Sequence, residues 1–369
     1  MTAGRISSAV MTHPVRRAQA EGLVARLGLG GLALDPDPDG PPSALRTALV
    51  AWAAAAPGAS HHLVVQDDVS GPDDLLGLVG HAVGRFPDEA LVFYTNWHAR
   101  NGAASRLAAL AGASWVRAVP DEFTPSLSIC LRVEVAADFL EFARESTQRH
   151  DDELLTGFFR TRGRMSLLAV PNVVEHVGTS SINGHATQGI RLAVCPMDAA
   201  DAEQLLRHGW VLEDVGWLPY MRYGEGYVRL VGQENDPDDG RGHHRWRDAL
   251  PEIGLAEERV RQTVADRMPA DLASDVARLF GARFAEELWI HCLMLGRQAA
   301  VAARRYAPDA DVGPMAAAAG VRLREAAVST IGPAGLPPER RPEAGPEQKR
   351  LMTEFAWSAI RCGELLLDR

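Results

Sequence analysis

The sequence predicts an α/β fold, a mostly parallel, helix-covered sheet domain over residues 1–195 followed by a mainly α-helical domain over 196–369. Short apolar runs alternate with amphipathic segments through the first half, the signature of a parallel sheet with helical crossovers. After about residue 196 the texture changes to long Ala, Leu, Arg and Glu runs. At 369 residues the chain also exceeds the usual single-domain size.

RISSAVMTHP, residues 5–14, predicts a strand broken at Pro14, and RRAQAEGLVARLGL an amphipathic helix. GGLALD predicts a second strand entering an Asp/Pro/Gly loop, ALRTALVAWAAAA a helix over 44–56, and HHLVVQDD a third strand. The alternation continues with a helix in PDDLLGLVGHAVGRF, a strand in ALVFYTNW (90–97) and a helix in RNGAASRLAALAG. SWVRAVPDEF and LSICLRVEV read as strands, AADFLEFARES and HDDELLTGFFRTRG as helices, and MSLLAVPNVVEHVG as a last strand leading to SSINGH. In the second half only GYVRLVG reads as a strand. LAEERVRQTVADRM, LASDVARLFGARFAEELWIHCLMLGRQAAVAARRYA and EQKRLMTEFAWSAIRCGELLLD read as helices.

A formal charge of −10 repels a phosphate backbone, which argues against nucleic-acid binding. Lys349 is the only lysine, so arginine supplies nearly all the basic character. Cys130, Cys195, Cys292 and Cys362 are widely spaced without a CxxC pair, which argues against a zinc site or disulfide scaffold. No run reaches the ~18 uncharged apolar residues that span a bilayer, and the first residues lack a secretory apolar core. A cytoplasmic protein without a transmembrane segment is expected. No GxSxG elbow or GxxxxGK[ST] loop occurs.

VVQDDV ends an apolar strand on the adjacent carboxylates Asp67 and Asp68. Two like charges at a strand end need a compensating cation, and carboxylate oxygens suit Mg²⁺ or Mn²⁺. Turn residues of no chemical purpose are the other reading. HDDELL places Asp151 and Asp152 at a helix start, where aspartates also act as structural caps.

Taken in order, MTHPVRR, PDPDGPPSALR, VVQDDV, HDDELL and PNVVEHVGTSS resemble the motifs of GT-A type glycosyltransferases over roughly the first half of the chain. VVQDDV resembles their acidic metal motif, with Gln66 where a carboxylate is more usual. The resemblance implies a GT-A-like, Rossmann-like domain holding Mn²⁺ or Mg²⁺ on Asp67, Asp68 and His176. It implies a nucleoside diphosphate sugar donor bound by Thr12, His13, Arg16, Asp35, Arg46, Gln66, Ser180 and Ser181, with Asn183 and His185 in the same polar loop. Asp152, or Asp151 in its place, would be the base that accepts the acceptor's proton, giving inversion. Trp97, ending a strand beside Asn96 and His98, is either core or a sugar platform. The expected acceptor is a hydroxyl or amine on a small molecule or glycan, with a soluble acceptor as in natural-product tailoring preferred. The helical domain would serve as acceptor platform or homodimer surface. A metal-dependent nucleotidyltransferase or phosphohydrolase, and a non-catalytic nucleotide-binding scaffold, are the alternatives.

Overall fold

The computed structural model describes residues 5–177, 191–230, 243–307 and 313–366. Strand β1 (Ile6–Thr12) is buried along most of its length, and Pro14 then opens a 3-10 turn that feeds α1 (Arg17–Leu27). The chain continues through β2 (Leu32–Leu34), α2 (Ala44–Ala53) and β3 (His61–Gln66). Ser43 caps α2 by accepting the Arg46 amide at 3.2 Å. Both β2 and β3 pair in parallel with β1, from opposite sides. Strand order therefore reverses at β1, and the crevice beyond the ends of β1 and β3 is a switch point of the kind where such sheets take ligands.

Next come β4 (Val69–Ser70), α3 (Leu75–Arg85), β5 (Leu91–Val92), α4 (Arg100–Ala111), β6 (Trp115–Arg117) and β7 (Ser128–Arg132). They are followed by α5 (Val133–Ala143), α6 (Asp151–Thr161), β8 (Leu167–Ala169), β9 (Glu175–His176), α7 (Ala199–His208) and β10 (Val211–Leu212). The eight-stranded sheet has the order β10-β6-β8-β5-β7-β3-β1-β2. β2, β1, β3, β5 and β8 share one direction; β7, β6 and β10 run against them. One face packs on α1, α3 and α7, the other on α2, α4, α5 and α6.

Several strand expectations shorten: SWVRAVPDEF keeps only Trp115–Arg117, and MSLLAVPNVVEHVG only Leu167–Ala169 and Glu175–His176. ALVFYTNW keeps sheet pairing only over Leu91–Val92 and reaches Ala193 through an isolated bridge at Asn96. LSICLRVEV stops at Arg132, because Ala136, Phe139 and Ala143 bury one face of α5 and that packing overrides the strand preference of Val133 and Val135.

The second half holds more strand than the sequence predicts. Besides β12 (Glu225–Leu230, overlapping the expected GYVRLVG), β11 (Trp217–Arg222) and β13 (His243–Arg245) complete an antiparallel three-stranded sheet, and β10 extends the main sheet past residue 195. Helices α8 (Trp246–Ala249), α9 (Glu257–Arg267), α10 (Ala270–Phe280), α11 (Ala282–Tyr306), α12 (Gly313–Ser329), α13 (Ile331–Gly335) and α14 (Pro346–Leu365) follow. Gly281, at φ +97°, breaks the long helical run between α10 and α11.

α4 is buried almost all round, since α11 and α12 cover the side that the sheet does not. Seven of its twelve residues are Ala, Gly or Ser, which admit neighbours at close range. α11 and α14 approach through Gly296 and Gly363, where a Cβ would lie 2.2 Å from the Ile360 carbonyl oxygen and 2.0 Å from that of Leu293. All four cysteines are free thiols, and no helix among the described residues is long and apolar enough to cross a membrane.

Candidate functional site at the strand ends

A cavity of about 320 Å³ opens at the switch point, within the size range of small-ligand pockets. Thr12, His13, Arg16, Asp35, Arg46, Gln66, Asp67, Asp68, Asp151, Asp152 and His176 all line it. Ser180, Ser181, Asn183 and His185 lie outside the described residues.

The topology explains the convergence. Thr12 ends β1 and Asp67 follows β3, so the two meet across the crevice, where the Thr12 hydroxyl donates to Asp67 Oδ2. The Gln19 amide holds the Asp67 carbonyl at 3.0 Å and so fixes the strand end to α1. Directly after Asp68 the chain forms β4, which pairs antiparallel with β9 and sets Val69 opposite His176. That register brings His176 Nε2 to 3.4 Å from Asp68 Oδ2.

Both carboxylates are largely buried, and a cation lies between them. Arg16 Nη1 stands 3.1 Å from Asp67 Oδ1 and 3.4 Å from Asp68 Oδ2. Burial, with the charge of Asp68, pushes the Asp67 carboxyl above the usual range despite the Thr12 and Arg16 bonds. Burial also acts to raise Asp68, but the His176 hydrogen bond and charge, with Arg16 and Arg191, outweigh it and leave the carboxyl below the usual range. Arg191 Nη2 lies 3.1 Å from His176 Nε2. An imidazole nitrogen serves one neighbour at a time: protonated it pairs with Asp68, deprotonated it accepts from Arg191 and carries the lone pair a metal would use.

Two carboxylates and an imidazole are donors of the kind a hard divalent cation takes, and Asp68 Oδ1 is buried without a hydrogen-bond partner. Among the described residues no group of three or more His, Cys, Asp or Glu is already gathered around a common point. In this arrangement Arg16 offsets part of the pair's charge, and His176 and Arg191 act on Asp68 beside it.

Across the cavity, Arg46 closes on Asp35, with Nε 2.6 Å from Oδ1 and Nη2 2.8 Å from Oδ2. Its Nη2 also donates to the Asp37 carbonyl at 2.6 Å, and this hydrogen bonding holds the Asp35 carboxyl below the usual range. The phosphate contact expected of Arg46 thus competes with a formed bidentate pair.

The third wall is the start of α6. His150, not an aspartate, occupies the cap position there. Asp151 is buried and bonded to Ser126, whereas Asp152 is half-buried and accepts the Glu153 amide at 2.9 Å. Burial, and then the charge of Asp151, raises the Asp152 carboxyl well above the usual range, and burial raises Asp151 as well. A carboxylate whose proton affinity is raised in this way can take a proton from a bound hydroxyl.

Trp97 is core, as is Trp52, which packs edge-on against His62 and Phe139. Asn96, beside Trp97, does line the cavity. Sequence reasoning missed Arg191 and Tyr94, whose hydroxyl holds the Arg191 carbonyl at 2.7 Å, and Ser126. The only local signal for Arg191 is a lone basic residue after a polar run. The sequence matches no protein-family model, and no curated protein is significantly similar to it.

Proposed function

We propose that the protein is a GT-A type glycosyltransferase that moves a sugar from a nucleoside diphosphate donor to an acceptor hydroxyl or amine. The observation that carries this reading is the convergence, in one cavity at the strand-order reversal, of the buried pair Asp67 and Asp68, His176, three arginines and the proton-hungry Asp152. Asp67, Asp68 and His176 would hold Mn²⁺ or Mg²⁺, and the open Oδ1 of Asp68 supports that assignment. Such an ion supplies positive charge to the diphosphate as it departs.

The remaining roles belong to the chain itself. Arg16 and Arg191 bring two guanidinium charges to the carboxylate end of the cavity, where the diphosphate would lie. Asp35 and Arg46 would meet the nucleoside on the β2 side. Asp152 accepts the acceptor's proton, which gives inversion at the anomeric carbon, while Asp151 stays bonded to Ser126 and keeps α6 in place.

Thermal melts with a panel of nucleoside diphosphates and nucleotide sugars, with and without Mn²⁺, test the reading on the wild type and Asp68→Ala. A metal-dependent rise for one nucleotide, lost in the variant, is expected. Release of pyrophosphate or phosphate in place of a nucleoside diphosphate would move the assignment to a nucleotidyltransferase or phosphohydrolase. One observation favours a non-catalytic nucleotide-binding scaffold: Arg16 already stands between the two carboxylates. That version binds nucleotide without turnover.

A further inference from the structure

Asp151 and Asp152 adjoin at the start of α6 and line the strand-end cavity together. Two carboxyls this close ionise in turn, so over an interval of pH they hold one proton between them. Asp151 is 4 % exposed, whereas Asp152 is half-buried. Burial disfavours charge, and burial alone would leave the proton on the deeper Asp151. The carboxyl nearer to solvent would then be the one already ionised, with little affinity for a proton arriving from a bound hydroxyl.

Ser126 acts against that order. It lies between β6 and β7 on a segment that walls the cavity, is buried, and bonds the Asp151 side chain through its hydroxyl. A hydrogen bond donated to a carboxylate favours its charged form. The backbone amides of Asp151 and Asp152, free at the helix start, act on the Asp151 carboxyl in the same sense. Of the flanking charges, His150 lowers Asp151 and Glu153 raises Asp152, which widens the difference. Asp35 and Arg46, across the cavity on the α2 side, are closed on each other.

Gln66 decides which way the Ser126 hydroxyl points. Its Nε2 donates to Ser126 Oγ at 3.3 Å, and an amide N–H can only donate. One lone pair of Ser126 is thereby occupied, and the hydroxyl proton is directed away from Gln66 toward Asp151. A carboxylate at position 66 could only accept, and it would draw the Ser126 proton to itself and away from Asp151. The glutamine that precedes the two aspartates of VVQDDV therefore does what a third carboxylate there could not.

Backbone bonds keep these groups in register. Gln66 N donates to the Leu127 carbonyl at 3.0 Å, and Thr124 N donates to Thr156 Oγ1 at 2.7 Å, which ties the segment to α6 itself. Beyond Phe123, which also lines the strand-end cavity, lies a second concavity of about 990 Å³ that reaches His98, Arg222 and Arg341. The bonds thus hold a wall that has open space on both sides.

We infer that Ser126, oriented by Gln66, is a positioning residue: its hydroxyl keeps the negative charge on Asp151 and leaves the shared proton to Asp152, the carboxyl nearer to solvent. Calling Asp152 the base for an acceptor hydroxyl rests on the glycosyl-transfer reading; the placing of the proton does not.

Carboxyl-carbon NMR on the full chain with isotope-labelled aspartate, its two signals assigned through Asp151→Asn and Asp152→Asn, follows each group through a pH titration. In the wild type Asp152 is expected to titrate above Asp151. In Ser126→Ala the gap between them should shrink by about one pH unit or more, the size of one hydrogen bond to a charged group. Gln66→Glu should shrink it likewise, and Ser126→Thr, which keeps the hydroxyl, should preserve it. An unchanged gap in Ser126→Ala, or Asp151 titrating above Asp152 in the wild type, would overturn the proposal. Gln66 is half-buried, so Gln66→Glu decides in the same way if Ser126→Ala does not fold. Under glycosyl transfer, the acid limb of kcat/KM should move down in pH in Ser126→Ala and return in Ser126→Thr. If the titration order is as expected while no nucleotide shifts the wild-type melt, the donor reading alone has failed.

Discussion

Nη1 of Arg16 stands 3.1 Å from Oδ1 of Asp67, with both side chains largely shielded from water. Removing one partner of such a pair leaves the other charge buried and uncompensated. Arg16→Ala should therefore lose about 3 kcal/mol of stability in denaturant unfolding, with millimolar Mn²⁺ restoring part of it. A loss that Mn²⁺ leaves untouched would show that the carboxylates accept a guanidinium and no metal.

Asp152→Asn should lower turnover about 10²-fold or more if its carboxylate is the base. The same change should raise Tm at neutral pH, because an uncharged amide removes the repulsion with Asp151. The direction follows from linkage. The folded-state pKa values of Asp151 and Asp152 lie above the unfolded value, so the native state binds more protons in the interval between them. Their contribution to stability is full at acid pH and is lost as pH rises through the raised pKa values. Wild-type melts from pH 4 upward should carry this downward component, and Asp152→Asn should reduce it. kcat/KM should rise over the same interval, since the base must be ionised to act.

Gly296→Ala tests the α11–α14 crossing. The added Cβ would fall 2.2 Å from a backbone oxygen of Ile360, and backbone cannot swing aside as a side chain can. The expected cost is about 3 kcal/mol, the upper part of the usual overpacking range, read as a lower denaturation midpoint.

Tyr223→Asn should do the opposite. Asparagine tolerates φ near 53° better than tyrosine does, so relief of about 1 kcal/mol and a Tm rise of about 1 °C are expected. A fall in Tm would show that the contact of the phenol with Arg222 outweighs its backbone strain.

The strand-end cavity was legible because its residues sit at element ends, where local chemistry marks them. Pro14 ends the first strand just beyond Thr12, and the apolar run HHLVVQ stops abruptly on Asp67 and Asp68. Parallel topology then brings those ends together without further information. Arg191 and Ser126 carry no such mark, since each depends on which distant segment folds beside it. β11 was hidden by Pro219, which reads as a strand breaker and is tolerated because β11 is an edge strand. β13, reading HHR, has no apolar alternation at all. The second concavity joins segments near residues 98, 222 and 341, a separation that no periodicity encodes.

The burial of α4 on all sides bears on ancestry. A helix whose Ala-rich circumference is capped by α11 and α12 could not have stood in water before those helices existed. Either the two halves were inherited as a unit, or α4 was rewritten toward small residues when they joined, with Arg106 kept on the covered side by its bonds to Thr330.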